Sequence, residues 1–219
     1  MDLFKLRDEK YAAFQSRIIP DRDPGTILGI RTPVLRDIAK DISGTAEAEA
    51  FMKELPHEFF EQDQIHAFLI ARIKDPAGAL EEIDRFLPFV DNWATTDQMN
   101  PRCLAKDKKL LMRYIKRWIR SKHPFTVRFG IKMLMDHFLK EDFDPSYLDT
   151  VAGIRSDHYY VKMMKAWYFA TVAAFRPENM DYILRLEPDV RKKAIQKALE
   201  SYRVSDENKE LLMEWRKRS

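Results

Sequence analysis

The chain has 219 residues, 45% of them hydrophobic and 33% charged, with a net charge of +3 at pH 7. That balance excludes an intrinsically disordered chain, and the length is enough to bury a sizeable core. A single cysteine, Cys103, excludes an intramolecular disulfide and a cysteine-based zinc cage, and no apolar run is long enough to cross a bilayer. With no signal peptide in view, the chain is expected to be a reduced, cytoplasmic protein.

Six glycines against ten methionines disfavour a β-rich fold that turns often and favour helices. In chain order, "RTPVLRDIAKDI" opens a predicted helix with Thr32 as N-cap and Pro33 at the first helical position, where a missing N–H costs nothing. "HEFFEQDQIH" carries His57 and His66, whose spacing does not match the zinc helix motif, so ordinary exposed or half-buried histidines are expected. "KDPAGALEEIDRFL" repeats the Pro device with Asp75 and Pro76. In "VDNWATTDQM", Trp93 and Asp97 stand one helical turn apart and leave the same face. Apolar spacing of three and four predicts helices over 110–119, 127–139 and 159–175, and Pro188 opens a last clear one in "EPDVRKKAIQKALESY".

No segment has the alternation and turn chemistry of a hairpin. About eleven or twelve helices are expected, most of them keeping a charged face. A bundle of so many would need several helices apolar all round. Stacked antiparallel pairs, each burying one stripe against the next, suit the pattern better, so an all-α solenoid in one domain over 1–219 is predicted.

Charge is unevenly spread. Residues 41–92 carry 12 acidic and 4 basic residues, whereas 101–140 carry 12 basic and 2 acidic ones. The swing points to one surface that meets a polyanion, or to two solvated faces of opposite sign. Phosphate loops, dinucleotide fingerprints and nucleophile elbows are absent. Asp97 lies beside an indole and ahead of the basic stretch. Arg128 and Lys132 lie one turn apart, and Trp167 has Lys162 and Lys165 nearby. Taken singly, each tryptophan is a core residue and Asp97 a solvated or capping carboxylate; only their combination points to a site.

The segments "ILGIRTPVLRDIAKDI", "NWATTD", "HPFTVRFGI" and "YYVKMMKAW" resemble, in this order, segments of the HEAT-like-repeat DNA glycosylases of the AlkD type, within the DNA alkylation repair family. The resemblance implies HEAT-like repeats forming a concave basic groove that cradles double-stranded DNA. It also implies hydrolytic removal of cationic alkylpurines such as 3-methyladenine and 7-methylguanine without base flipping, by one copy of the chain with no metal or other cofactor. Trp93 and Trp167 match the family's groove tryptophans, Asp97 its catalytic aspartate and Arg128 its backbone-contacting arginine. Tyr11 corresponds to an aromatic of the first helix, and Arg31, Lys132, Lys162 and Lys165 are further expected DNA contacts.

Three features depart from the family pattern: Asp136 beyond Arg128, Ala170 one turn past Trp167, and the differently punctuated "IIPDRDPG". Two rival expectations are a duplex- or branched-DNA-binding protein without base excision, and a solenoid that binds another protein through its tryptophans.

Overall fold

A computed structural model describes residues 2–218. Their fold is all-α, with twelve α-helices joined by short loops and 3-10 turns and no strand among the described residues. The chain divides into two compact units, Met1–Leu111 and Met112–Ser219. The first contains α1 (Glu9–Ile18), α2 (Thr32–Ile42), α3 (Ala46–Lys53), α4 (Phe60–Ile70), α5 (Pro76–Phe86) and α6 (Trp93–Gln98). Helix α7 (Lys108–Trp118) runs across the division. The second unit holds α8 (Pro124–Phe138), α9 (Ser146–Ala152), α10 (Tyr159–Phe175), α11 (Pro188–Glu200) and α12 (Asp206–Arg218). Within the first unit α2 packs on α4 and α4 on α6; within the second α8 packs on α10, α10 on α11 and α11 on α12. This is the successive stacking of a helical-repeat solenoid.

Short polar side chains start many of the helices. Asp8 accepts the Tyr11 N–H, Thr45 that of Ala48, Asp75 that of Gly78 and Asn92 that of Thr95. Each satisfies a donor that the first turn leaves without a partner, worth about 1 kcal/mol. Thr32 is a correction to the expected cap: it is already helical, Arg31 precedes the helix, and no side chain caps that end. Pro33 still serves the first turn, as its fixed φ allows.

The helix stripes bury as their spacing requires. Leu35 and Ala39 of α2 meet Ile65, Phe68 and Leu69 of α4, joined by Leu28 and Ile30 from the preceding loop. A second cluster joins Ala12, Ile19, Ile27 and Phe60, with Trp93 and Ala94 packed against it. Fully burying one such aliphatic side chain is worth about 1.5–3 kcal/mol. Helix α7 separates its faces cleanly: Leu111, Ile115 and Trp118 are buried, while Lys109, Arg113 and Lys116 are exposed on the opposite side.

Helix α4 departs from the expected charged face. It is buried nearly all round and carries Glu61, Asp63, Gln64 and His66 inside. Each of these finds a partner. His66 Nδ1 lies 2.9 Å from His57 Nε2, and His66 Nε2 lies 3.1 Å from Glu82 Oε1. The two imidazoles stack on Phe86 and Phe51 respectively. Burial lowers both, His57 from 6.5 to about 4, with the His66 and Arg22 charges adding to its fall.

Candidate functional site

The loop "ILGIR" is shaped by one buried acid. Glu61 accepts the N–H groups of Leu28 at 2.9 Å, Gly29 at 2.7 Å and Ile30 at 3.2 Å. Three backbone donors converging on one carboxylate force a tight path, and Gly29 takes φ +80° within it. The loop then delivers Arg31 to the start of α2. The Arg31 guanidinium lies 3.7 Å from the centre of the Tyr11 ring, and Tyr11 in turn stacks on Phe14. Arg31 also pairs with Asp8 at 3.6 Å. The Tyr11 N–H holds the Asp8 carboxyl below its ordinary range, against the pull of desolvation, and Arg31 adds to the lowering.

Helix α6 carries the expected acid and the first tryptophan. It has only six residues, too few to be stable alone, so contacts from outside define where it lies. Asn92 caps it, Gln64 Nε2 donates to Thr95 Oγ1 at 2.7 Å, and Trp93 Nε1 donates to the Ile18 carbonyl at 2.8 Å. Trp93 is neither a free platform nor a buried core residue. Its edge is pinned, part of its surface packs on the Ala12–Ile19 cluster, and the side chain remains half-buried. Asp97 is also half-buried, one turn further along, with Thr96 Oγ1 at 3.4 Å from its Oδ1. Tyr11, Arg31, Trp93 and Asp97 thus all belong to the first unit.

In the second unit the first turns of α8 and α10 lie side by side, with Phe125 5.3 Å from His158 and 5.8 Å from Tyr160. Arg128 Nη1 donates to the Tyr160 carbonyl at 3.1 Å, and the side chain is only 5% exposed. This bond ties α8 to α10. Lys132, 4% exposed, is bound to Asp136 at 2.7 Å, so the acid that departs from the family pattern neutralises the lysine expected to reach DNA.

Lys165 is 1% exposed and donates to the carbonyls of Ala152 and Ile154 and to Glu187. It is a structural cation, and burial lowers its pKa. This expected DNA contact is held by the protein's own acceptors. Lys162 pairs with Asp189 at 2.9 Å, a hydrogen bond that raises its pKa.

Trp167 is 38% exposed on α10 and borders a pocket of about 200 Å³. Ala170 and Ala174 leave the room, Thr171 and Phe175 complete the α10 side, and Lys197 and Arg203 supply cations from α11 and the turn beyond it. Those two basic residues escape a reading of sequence because they lie 30 or more positions from Trp167. No local spacing links them to it. The same holds for Arg22, half-hidden in "IIPDRDPG", whose contacts reach as far as position 91.

Among the described residues, no group of three or more His, Cys, Asp or Glu is arranged to hold a metal ion, and no helix is long and apolar enough to cross a membrane. An all-α repeat with an acid and an indole on one short helix, and a second exposed indole beside a pocket lined by Lys197, Arg203 and Glu200, defines a candidate DNA-repair scaffold. A profile of the DNA alkylation repair enzyme family matches residues 1–180, and the chain belongs to that family. No curated protein matches it by sequence.

Proposed function

We propose that this protein is a monofunctional DNA glycosylase that hydrolyses the N-glycosidic bond of cationic alkylpurines, such as 3-methyladenine and 7-methylguanine, in duplex DNA without flipping the base. The observation that supports it most is α6, where Asp97 and Trp93 stand one turn apart, both half-buried, with the indole fixed by its N–H.

Alkylation at N3 or N7 leaves the purine positively charged, so it departs without protonation. As the bond to C1′ breaks, its electron pair neutralises the base and the sugar gains oxocarbenium character. The Asp97 carboxylate would stabilise that charge and accept a proton from the water that attacks C1′. The products are the free base and an abasic site, with no strand cleavage. Indole faces attract cationic bases by about 0.5–2 kcal/mol for each favourable contact, which gives Trp93 and Trp167 their roles.

Arg31 is an exposed cation of the first unit, and Lys197 and Arg203 line the pocket beside Trp167 in the second. DNA phosphates are the expected ligands of all three. We assign the activity to one copy of the chain acting as a single functional domain.

The test is release of 7-methylguanine from alkylated duplex DNA by the wild type and by Asp97→Asn. The variant should be slower by about 100-fold, the usual size of a lost electrostatic stabiliser, with duplex affinity retained. Equal rates in both would reject the assigned chemistry. A second reading, duplex binding without excision, draws on Ala170 and on the pairing of Lys132 and Lys165 within the protein; it expects no base release by the wild type on any alkylated duplex.

A further inference from the structure

The segment "IIPDRDPG" joins α1 to α2 through a 3-10 turn at Pro24–Thr26, and at its centre Arg22 is turned inward, 8% exposed. Its guanidinium meets four acceptors from four places in the chain. Nε donates to Thr26 Oγ1 at 2.9 Å just beyond the segment, and Nη2 to the Glu58 carbonyl at 2.8 Å, ahead of α4. Nη1 donates to Asp63 Oδ2 on α4 and to Asp91 Oδ2 ahead of α6, both at 2.9 Å. Thr26 is itself held, since its hydroxyl donates to the Asp23 carbonyl at 2.8 Å. So many donors on one planar group set an orientation that a point charge could not.

The arm through Asp91 leads directly to α6. Asp91 takes Arg22 at one oxygen and the Asn92 side-chain amide at the other, at 3.0 Å. Asn92, fully buried, uses its own oxygen to cap α6. The same segment begins at Ile18, whose carbonyl receives the Trp93 indole N–H. The start and the centre of "IIPDRDPG" therefore grip the first turn of a helix too short to hold itself.

We infer that Arg22 is the positioning residue for Trp93 and Asp97, acting through Asp91 and Asn92, and that the segment singled out as a departure from the family pattern is the brace of the candidate site. The inference rests on the proposed glycosylase reading for its catalytic consequence and on geometry alone for its structural one. Arg22 is too deeply buried to serve as a DNA contact, so its loss should act on rate and spare affinity.

The experiment compares Arg22→Lys, Asp91→Asn and Asp63→Asn, all assayed well below their melting temperatures, by single-turnover release of 7-methylguanine, by duplex binding, and by the NMR signal of the Trp93 indole N–H (assigned with Trp93→Phe). Arg22→Lys and Asp91→Asn are expected to excise roughly 10- to 100-fold more slowly, as displacement of a reacting group by about 1 Å does, with affinity within about threefold and the indole signal shifted. Asp63→Asn keeps the Asp91 arm and should keep the rate and the signal, whatever its melting temperature. The inference is overturned if Arg22→Lys and Asp91→Asn excise as the wild type does, or if all three variants slow together in proportion to lost stability. Should the wild type release no base at all, the glycosylase reading fails by itself, and the indole signal decides: unmoved in Arg22→Lys, it removes the brace as well.

Discussion

At position 29 a β-carbon would sit 2.1 Å from the Asp8 carbonyl oxygen and 2.5 Å from the Ala12 nitrogen, on backbone already at φ +80°. Both obstacles are main chain at the start of α1, so nothing flexible can yield. Gly29→Ala should cost at least about 2 kcal/mol, from left-handed strain plus the clash, and thermal or urea unfolding will measure it. Gly44 has the same φ sign with open space around it and should tolerate alanine at the cost of strain alone. The glycine of "GIRTP" was visible in the sequence as a family feature. Its physical reason was not, because Glu61, which bends the loop, lies 32 residues away. The surroundings of Arg128 and Lys165 were hidden for a related reason: sequence shows a cation but not the carbonyl beside it.

Among the elements, most of the helices were legible because their signals are local. Asp75 with Pro76, and the apolar spacing of 159–175, mark α5 and α10 without any knowledge of their neighbours. Helix α4 is the opposite case. Its buried polar residues look like a solvated face until their partners, Arg22, Thr95 and Glu82, arrive from other elements. The histidine pair at its side gives it a pH dependence. His57 titrates near 6.5 when unfolded and near 4 when folded, so the unfolded chain binds more protons between those values. Stability from this residue is therefore complete above pH 6.5 and is lost as pH falls toward 4, roughly 3 kcal/mol in all. Asp63 works in the other direction: burial pushes its carboxyl up to about 8 despite Arg22, which favours the fold as pH falls. Comparing wild type with His57→Gln separates the two. The variant should lose less melting temperature than the wild type between pH 7 and pH 5.

For the whole molecule, the net charge of +3 conceals an acidic stretch followed by a basic one, and the fold shows where much of the basic charge resides. Two of the cations in 101–140, Arg128 and Lys132, are buried, but α7 exposes Lys109, Arg113 and Lys116 along one face. Duplex binding should weaken steeply with salt, since each neutralised phosphate contributes about −0.9 to the slope of log K against log salt. Replacing Lys109, Arg113 and Lys116 with glutamine should make that slope shallower by about 2–3 if this face meets the backbone; an unchanged slope would make it a solvated face. The size of the charge swing was readable from composition. Which cations remain available was not, because pairing such as that of Lys132 with Asp136 depends on rotamers within a packed helix.

The seat of Glu61 has a consequence for which replacements position 61 can accept. Oε1 receives two N–H groups and Oε2 a third, so every direction into the loop already brings a proton. Glutamine, nearly identical in outline, would turn an NH₂ toward one of those protons whichever way it flipped, and aspartate would fall short by a methylene. The most conservative exchanges available are thus poorly matched here, and the amide, which preserves shape while reversing polarity at one corner, is the clearest example.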